Sequence, residues 1–394
     1  MLYATLRSAA IPATFGTFVP DYEPFEASNM MDFRTLIGLV SQYSPSSQER
    51  GAVEWLIARM RTVGFGEAFR DGMGNAVGVM GEGSKQIVLL GHIDAVPGKI
   101  PVRVEGDTLY GRGSVDAKGP LACFVDAVAR VRVRSGWQMV VVGAVEEERN
   151  SDGARFVVDA YRPDFLIVGE PSGWERITLG YKGSASADVS VRQSLAHTAG
   201  AEASACDKVL AVWADVQSWA VQTNADVPRV FEQVSPTVRA MSSGEDGFDE
   251  WAQITIGTRL PPGLAPDRWY AVLDELAAPH GAVISPVGFP ISAYRAEKNT
   301  PLVRAFLRSI RAQGGAPGFL TKTGTADLNI VAPVWGCPAV VYGPGDSALD
   351  HTPDEHLSLE EYARAVKVLA GVLEEITFIK NIQHEGHEEK HEGR

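Results

Sequence analysis

Acidic and imidazole side chains stand directly after several short apolar runs of this sequence. Glu170, for example, follows Phe165–Val168, and Glu146–Glu148 follow Met139–Val145. Because open α/β sheets build their sites at the carboxyl ends of strands, we expect such side chains to lie close together. The full set of candidates is His92, Asp94, Asp116, Glu146, Glu147, Glu148, Glu170 and His351.

This set has the composition of a metal site. Buried carboxylates need compensating charge, and two divalent cations would supply it. Imidazole and carboxylate ligands without cysteine are typical of zinc, cobalt or manganese in a hydrolytic centre. Taken singly, each residue also has a structural interpretation: Asp116 could be a helix N-cap, and His92 could simply pair with Asp94 at a strand end.

Composition narrows the class of protein. The 394 residues carry 36 basic and 49 acidic side chains, a formal charge of −13, and no dense run of lysine and arginine. Because phosphate contacts need a concentrated basic surface, the sequence argues against nucleic-acid binding. The three cysteines form no CxxC pair, which argues against a thiolate metal site and favours a cytoplasmic protein. No stretch approaches the roughly 18 apolar residues that would cross a membrane.

The apolar pattern predicts an α/β fold. Short runs rich in β-branched residues alternate with helical patterns, which indicates a largely parallel sheet covered on both faces. A serine pair, Ser46-Ser47, is predicted to cap the first clear helix. The predicted strands lie at 75–80, 86–90, 139–145, 165–168 and 339–342, and the predicted helices at 120–133, 153–161, 301–313 and from 359 onward.

A second pattern begins near Ile177, where strands of alternating polarity are interleaved with two helices. The β-α-β-β-α-β order predicts a small ferredoxin-like α+β domain inserted into the α/β domain. We expect the first residues to be a disordered or misassigned extension and the last to be a disordered tail. The predicted organisation is an extension at 1–29, a discontinuous catalytic domain at 30–176 and 296–378, the insertion at 177–295, and a tail at 379–394.

The motifs resemble those of the M20 metallopeptidase/deacylase family in order and local context. They are His92-Ile93-Asp94, Asp116, the pair Glu146-Glu147, Glu170 in GEPS, and His351. The resemblance extends from about Asp32 to Val372. Family members have a zinc-peptidase-like catalytic domain with two metal ions and an inserted dimerisation, or lid, domain. The resemblance therefore implies a homodimer that holds two divalent ions per chain, with zinc as the expected metal and cobalt as the alternative.

The resemblance also implies a role for each ligand. The bridging ligand would be Asp116, one coordination sphere would be completed by His92 and Glu170, and the other by Glu147 and His351. Asp94 would accept a hydrogen bond from His92 and so fix the tautomer and orientation of the imidazole.

Because Glu146, Glu147 and Glu148 are consecutive, the motif alone does not say which glutamate is the general base and which one is the metal ligand. We call this choice the register of the motif. The family usually has a glycine six positions beyond the ligand, and Gly153 lies six positions beyond Glu147. This spacing favours Glu146 as the general base and Glu147 as the ligand.

Further positions match the family more loosely. His197, in the insertion, would reach the active site of the partner subunit and stabilise the oxyanion. Arg259 would grip a substrate carboxylate, since a guanidinium binds carboxylates bidentately. Gly324 and Thr325 resemble part of a glycine-rich substrate loop. Each also has a plain interpretation, as a surface histidine, a surface arginine and a simple turn.

Longer stretches resemble one subgroup of the family. They are 169–184, 322–330 and 343–356. Members of this subgroup release lysine, sometimes ornithine, from an isopeptide link to the C-terminal glutamate of a small acidic amino-group carrier protein, in lysine biosynthesis and in some cases arginine biosynthesis. Two alternatives stay open: removal of acetyl or succinyl groups from ornithine, lysine or diaminopimelate, and a non-catalytic dimeric binding protein.

An acidic carrier protein conflicts with the net charge of this chain. A protein at −13 repels an acidic partner at long range, so a local basic rim would have to attract it. The candidates for such a rim are Arg112, Lys182, Arg259, Arg295, Lys298 and Lys322.

Overall fold

Strands and helices alternate along the chain, which the structure, a computed structural model, describes over residues 32–195, 197 and 202–378. The predicted extension 1–29 and tail 379–394 lie outside the described residues. The helices are α1 Arg34–Val40, α2 Arg50–Thr62, α3 Lys118–Val128, α4 Asp152–Ala160, α5 Ala205–Asn224, α6 Pro266–Ala277, α7 Pro301–Ala312, α8 Leu328–Trp335 and α9 Leu359–Phe378. The strands are β1 Glu67–Arg70, β2 Ala76–Met80, β3 Lys85–His92, β4 Arg103–Glu105, β5 Thr108–Tyr110, β6 Trp137–Ala144, β7 Phe165–Gly169, β8 Arg176–Tyr181, β9 Gly183–Ser194, β10 Ser235–Glu245, β11 Asp249–Leu260, β12 Val283–Ile291, β13 Tyr294–Arg295, β14 Gly318–Lys322, β15 Ala339–Val341 and β16 His356–Ser358.

The larger sheet has parallel strands at its centre. Its order is β1-β2-β6-β3-β7-β15-β8-β13, and β14 pairs with β8. Strand β3 runs parallel to β6 and β7, and β15 runs parallel to β7. Successive residues of β3 and β6 are buried, as expected where both faces of a sheet are covered. The predicted α/β class is therefore confirmed, although the larger sheet is mixed: its central strands are parallel, and β1, β2, β8 and β13 pair in antiparallel fashion.

The register of the central strands aligns their carboxyl ends. His92, the last residue of β3, pairs with Ala144, the last residue of β6. Gly91 pairs with Gly169, the last residue of β7. The segments that follow these three strands therefore start at one edge of the sheet, where the sequence pattern predicts a site.

The insertion forms a separate four-stranded antiparallel sheet in the order β10-β11-β9-β12. Helices α5 and α6 pack against it and share a core that includes Val189, Ile254 and the fully buried Trp269. This strand order and the chain order β-α-β-β-α-β agree with the ferredoxin-like arrangement that the sequence predicts.

The smaller sheet is built from a shorter segment than the predicted insertion 177–295. Strands β8 and β13 belong to the larger sheet, where they pair with each other. Ile177 and Thr178 are successive residues of β8, and both are fully buried. Strand β8 is therefore covered on both faces, as expected for a strand of the larger sheet. The smaller sheet begins at Gly183 and ends at Ile291.

None of the helices described within residues 32–195 and 202–378 is both long enough and apolar enough to cross a bilayer.

Candidate metal centre

The ends of β3 and β7 bring a histidine and a glutamate to the same aspartate. Nε2 of His92 lies 3.2 Å from Oδ1 of Asp116 and 3.9 Å from Oε1 of Glu170. The ligand atoms of these three side chains lie within 4.8 Å of one another. We call His92, Asp116 and Glu170 the first ligand cluster.

A second ligand cluster consists of Asp116, Glu148 and His351. Nε2 of His351 lies 3.0 Å from Oδ2 of Asp116 and 3.1 Å from Oε1 of Glu148. These ligand atoms also lie within 4.8 Å of one another. The two clusters share Asp116, which directs one carboxylate oxygen towards each histidine.

Asp116 is held in this position by a buried ion pair. Oε1 of Glu355 accepts hydrogen bonds from the backbone N–H groups of Val115 at 2.9 Å and Asp116 at 3.1 Å. Nη1 of Arg112 donates to the other oxygen of Glu355 at 2.8 Å, and both side chains are buried. The interpretation of Asp116 as an N-cap is wrong, because α3 begins after Ala117 and no side chain caps it.

Asp94 connects the end of β3 to the loop after β6. Its carboxylate accepts hydrogen bonds from the backbone N–H groups of Glu147 and Glu148, each at 3.1 Å, and from the hydroxyl of Ser46 at 2.8 Å. Nδ1 of His92 lies 3.1 Å from the Asp94 carbonyl oxygen and 3.4 Å from its Oδ1. Asp94 therefore fixes the imidazole and the glutamate loop together.

Glu146 lies outside both ligand clusters. Its Oε1 accepts a hydrogen bond from the hydroxyl of Ser47 at 2.7 Å, and its Oε2 lies 3.4 Å from Nη1 of Arg149. Its φ of 62° is a left-handed conformation that non-glycine residues seldom adopt, and it turns the chain sharply after β6. Glu147, in contrast, lies with His92 and Glu148 within 4.8 Å. Glu147 is thus within reach of a metal ion, as the predicted register requires, and Glu148 joins it as a further candidate ligand.

The serine pair does not cap α2 as predicted. The helix begins at Arg50, one residue after its N-cap Glu49, and no side chain caps it. Ser46 and Ser47 instead donate to Asp94 and Glu146, so these hydroxyls stabilise the acidic loops of the site.

The electrostatics of the centre show an excess of negative charge. Burial raises the pKa of Glu147 and Glu170 well above the ordinary value, and each carboxylate adds to the effect at its neighbours. Burial opposes protonation of His92, but hydrogen bonds to Asp116 and Asp94 raise its pKa well above the usual range. Hydrogen bonds with Asp116 and Glu148 raise the pKa of His351 to about 10. The centre thus holds protons tightly unless cations take their place.

The donor set fits divalent ions. Each ligand cluster offers one imidazole nitrogen and carboxylate oxygens, the donors that zinc takes when cysteine is absent. Asp350 lies beside His351, and its buried Oδ1 has no hydrogen-bond partner among the described residues. Burial, with the charge of Asp116 next, raises the pKa of Asp350 to about 8. An unpartnered carboxylate oxygen next to a ligand is what a nearby cation would balance.

The predicted substrate residues meet at the side of the centre. Arg259 lies at the end of β11, and its Nη1 donates a hydrogen bond to the hydroxyl of Thr325 at 3.3 Å. Thr325 and Gly324 are half-buried in the loop before α8. Asp327, in the same loop, is buried, and burial raises the pKa of its carboxyl group to about 7.

His197 is exposed and follows the end of β9, a strand of 12 residues that starts next to the larger sheet at Gly183. At about 3.3 Å per residue, the end of this strand at Ser194 lies roughly 36 Å from its start. His197 follows that far end of the strand.

The predicted basic rim is only partly available. Arg112 and Lys182 are buried, the first against Glu355 and the second against Ser235 and backbone carbonyl groups, so neither can lie on a rim. The remaining candidates are exposed or half-buried: Arg259, Arg295, Lys298 and Lys322.

The sequence alone assigns no role to several residues of the centre. Glu148 was visible only as the third glutamate of a run, and Glu355 has no local signal because it acts on Asp116 from 239 positions away. Asp350 and Asp327 lie in stretches that resemble the family, beside predicted site residues.

Comparison with known proteins gives one family. The model of the family described as "Peptidase family M20/M25/M40" matches residues 88–375. A protein named LysW-lysine hydrolase from Deinococcus radiodurans is 46% identical over 341 residues, which cover 85% of this chain and 94% of that relative. A LysW-lysine/LysW-ornithine hydrolase from Saccharolobus islandicus is 28% identical over 347 residues, which cover 86% and 94%.

The fold also resembles that of solved structures. The structure of a dinuclear metal binding peptidase of the M20 family from Bacillus subtilis has a TM-score of 0.65 to this chain. The two are 13% identical, and the match covers 88% of this chain and 97% of the other.

Proposed function

Because the chain belongs to peptidase family M20/M25/M40, we propose that it is a two-metal amide hydrolase that releases lysine, or ornithine, from the C-terminal glutamate of an acidic amino-group carrier protein. The single observation that supports the two-metal chemistry best is that both ligand clusters share Asp116. The choice of substrate is supported by the names of the relatives, which are LysW-lysine and LysW-ornithine hydrolases. The proposed place of action is the cytoplasm, in lysine biosynthesis and, where ornithine is released, arginine biosynthesis.

The two ligand clusters are the proposed metal sites, with zinc as the proposed metal and cobalt as the alternative. Three carboxylates, those of Asp116, Glu148 and Glu170, offset most of the charge of two divalent ions, so the loaded centre is close to neutral and tolerates burial. When bound, such ions supply Lewis acidity that polarises a carbonyl group and acidifies water. This assignment makes Glu148 a ligand in place of Glu147.

Glu147 is the proposed general base in place of Glu146. Its backbone N–H donates to Asp94, and its carboxylate lies with His92 and Glu148 at the junction of the ligand clusters. During hydrolysis the water oxygen bonds to the carbonyl carbon and the C–N bond breaks. Glu147 takes one proton from the water at its carboxylate oxygen and delivers it to the departing nitrogen.

The substrate half of the proposal is tested by comparing substrates. We expect kcat/KM for a purified lysine conjugate of the carrier protein to exceed that for N-acetyl-lysine, N-acetyl-ornithine and succinyl-diaminopimelate by about 100-fold or more, because only the conjugate provides the carrier half of the substrate for binding. Release of free lysine, followed by mass spectrometry of the carrier, measures the rate. A higher kcat/KM for a small acylated amino acid would favour the deacylase alternative. Binding of the conjugate without turnover would favour the binding protein.

The smaller sheet supports a proposed homodimer in which it acts as the dimerisation and lid domain. Its edge strands, β10 and β12, expose apolar side chains, among them Met241 and Val283, each more than 60% exposed. An edge of this kind is a liability in a monomer and is protected by pairing across a two-fold axis. In that arrangement His197 would act on the active site of the partner subunit, since it follows the end of β9 that lies away from the larger sheet.

A mixing experiment tests the role of His197 in the partner's site. Protein carrying His197→Ala and protein carrying Glu147→Gln are each expected to be nearly inactive. When the two are mixed and allowed to exchange subunits, half of the dimers become mixed, and one of their two sites has both groups intact. Activity should therefore recover to about a quarter of the wild-type value. No recovery, despite mixed dimers detected by native mass spectrometry, would contradict the role in the partner's site.

A further inference from the structure

Strand β10 contains a β-bulge at Arg239, and the side chain of this arginine lies across the smaller sheet. Val238 pairs with Ile256 and Ala240 pairs with Thr255, so Arg239 is the extra residue between them. A Cβ atom added to Gly257 would lie 2.9 Å from Cγ of Arg239. The side chain of Arg239 therefore crosses the bare backbone of Gly257, and a larger residue there would displace it.

A second arginine lies on the same face of this sheet. Arg259 is two residues beyond Gly257 on β11, so both point away from the helices, whereas Ile254 and Ile256 face the core. Because the side chain of Arg239 crosses Gly257, it lies close to Arg259 on this face. Burial lowers the pKa of Arg259, and the charge of Arg239 lowers it further. The sheet thus presents two adjacent cations.

Neither guanidinium group forms an ion pair within the part of the chain that the structure describes. Arg259 lies 3.3 Å from the hydroxyl of Thr325, and Arg239 forms no ion pair with a carboxylate of that part. Asp188, on the same face of β9, accepts a hydrogen bond from the hydroxyl of Thr255 at 2.6 Å instead. Two like charges held together without a counterion are stabilised by an anionic ligand, and a guanidinium fork matches a carboxylate.

We propose that Arg239 recognises the free terminal carboxylate of the glutamate on the acyl side of an isopeptide substrate, next to Arg259, which the family resemblance already assigns to a substrate carboxylate. The inference rests on the proposed function, because an isopeptide link at a C-terminal glutamate uses the side-chain carboxyl group and leaves the terminal carboxylate free. The lysine that departs carries a second carboxylate. An N-acetylated amino acid has no carboxylate on its acyl side, so Arg239 would separate isopeptide substrates from N-acetylated ones.

The surroundings of the two arginines assign one carboxylate to each. Arg259 lies beside Thr325 of the substrate loop, and the charge of Glu147 acts on it. Glu147 is the group proposed to protonate the departing nitrogen, so Arg259 binds the carboxylate of the departing lysine. Arg239 then binds the terminal carboxylate of the glutamate on the acyl side.

The test varies the arginine and the carboxylate together. The two substrates are N-acetyl-γ-glutamyl-lysine and its analogue with the glutamate carboxylate converted to a carboxamide. For the wild-type enzyme, the carboxamide should lower kcat/KM by about 10- to 100-fold, as for the loss of a charged hydrogen bond. Arg239→Gln should lower kcat/KM by a similar factor on the carboxylate substrate and by less than about 3-fold on the carboxamide.

Two control variants separate recognition from folding. Arg192→Gln removes an arginine of the same sheet that pairs with Asp246 and Asp249, and it should leave the ratio between the two substrates unchanged. Arg239→Lys keeps the charge and should recover part of the lost rate on the carboxylate substrate alone.

The outcomes distinguish this inference from the proposed function. If Arg239→Gln lowered kcat/KM equally on both substrates, the inference would be overturned. The proposed function would still stand, provided that the wild-type enzyme hydrolyses the isopeptides. A wild-type enzyme that cleaves N-acetyl-lysine and neither isopeptide would overturn the function and the inference together.

Discussion

Replacing Glu147 with glutamine is expected to lower kcat by about 10²- to 10⁴-fold while both metal ions stay bound. The amide cannot accept a proton from water, yet it keeps the size of the side chain and leaves the backbone N–H bond to Asp94 in place. The expected signature is a loss in kcat with little change in KM. Steady-state kinetics and elemental analysis of the same protein sample measure both quantities.

Glu146→Gln is the matched control, since it makes the same change one residue earlier. Its carboxylate pairs with Ser47 and Arg149 outside the ligand clusters, so we expect kcat to fall by less than about 3-fold. If Glu146→Gln lost most of the activity and Glu147→Gln lost a metal ion, the register predicted from the glycine spacing would be restored.

Replacing Asp116 with alanine is expected to remove both metal ions and to lower kcat by at least about 10³-fold. This carboxylate belongs to both ligand clusters, and its two oxygens lie 3.2 Å and 3.0 Å from His92 and His351. Glu148→Ala should weaken only the second ligand cluster and leave one ion per chain. Inductively coupled plasma mass spectrometry of dialysed protein gives the metal content.

Asp354→Ala provides a control for the metal measurement, because this exposed aspartate lies in the same loop as His351 and belongs to neither ligand cluster. It should retain both ions and near wild-type activity. Retention of two ions by Asp116→Ala would contradict its role as the shared ligand.

The sequence was enough to predict the architecture of the larger sheet and most of the centre. Continuous apolar runs predict which strands are buried. Because parallel strands end at the same edge of a sheet, the residues that follow them are predicted to lie close together. His92 and Glu170 were found for this reason. The predicted resemblance to the M20 family is confirmed by the family match and by the 46% identical relative.

What the sequence left undecided, and the helix cap that it predicted wrongly, depend on distant parts of the chain. Nothing local distinguishes the three glutamates of the loop after β6, because their directions are set by the left-handed turn at Glu146 and by bonds to Asp94. Hydrogen bonds across 48 and 99 positions redirect the hydroxyls of Ser46 and Ser47 from capping a helix. The direction of the Arg239 side chain likewise depends on a β-bulge, which the spacing of residues in the sequence does not reveal.

Titration of the metal-free enzyme with zinc, with lysine release from the carrier conjugate as the readout, tests the two-metal hydrolase most directly. We expect the rate to rise until two equivalents per chain are bound, and to fall to background when a chelator removes them. Full activity at one equivalent, or undiminished lysine release from enzyme shown to contain no metal, would contradict it.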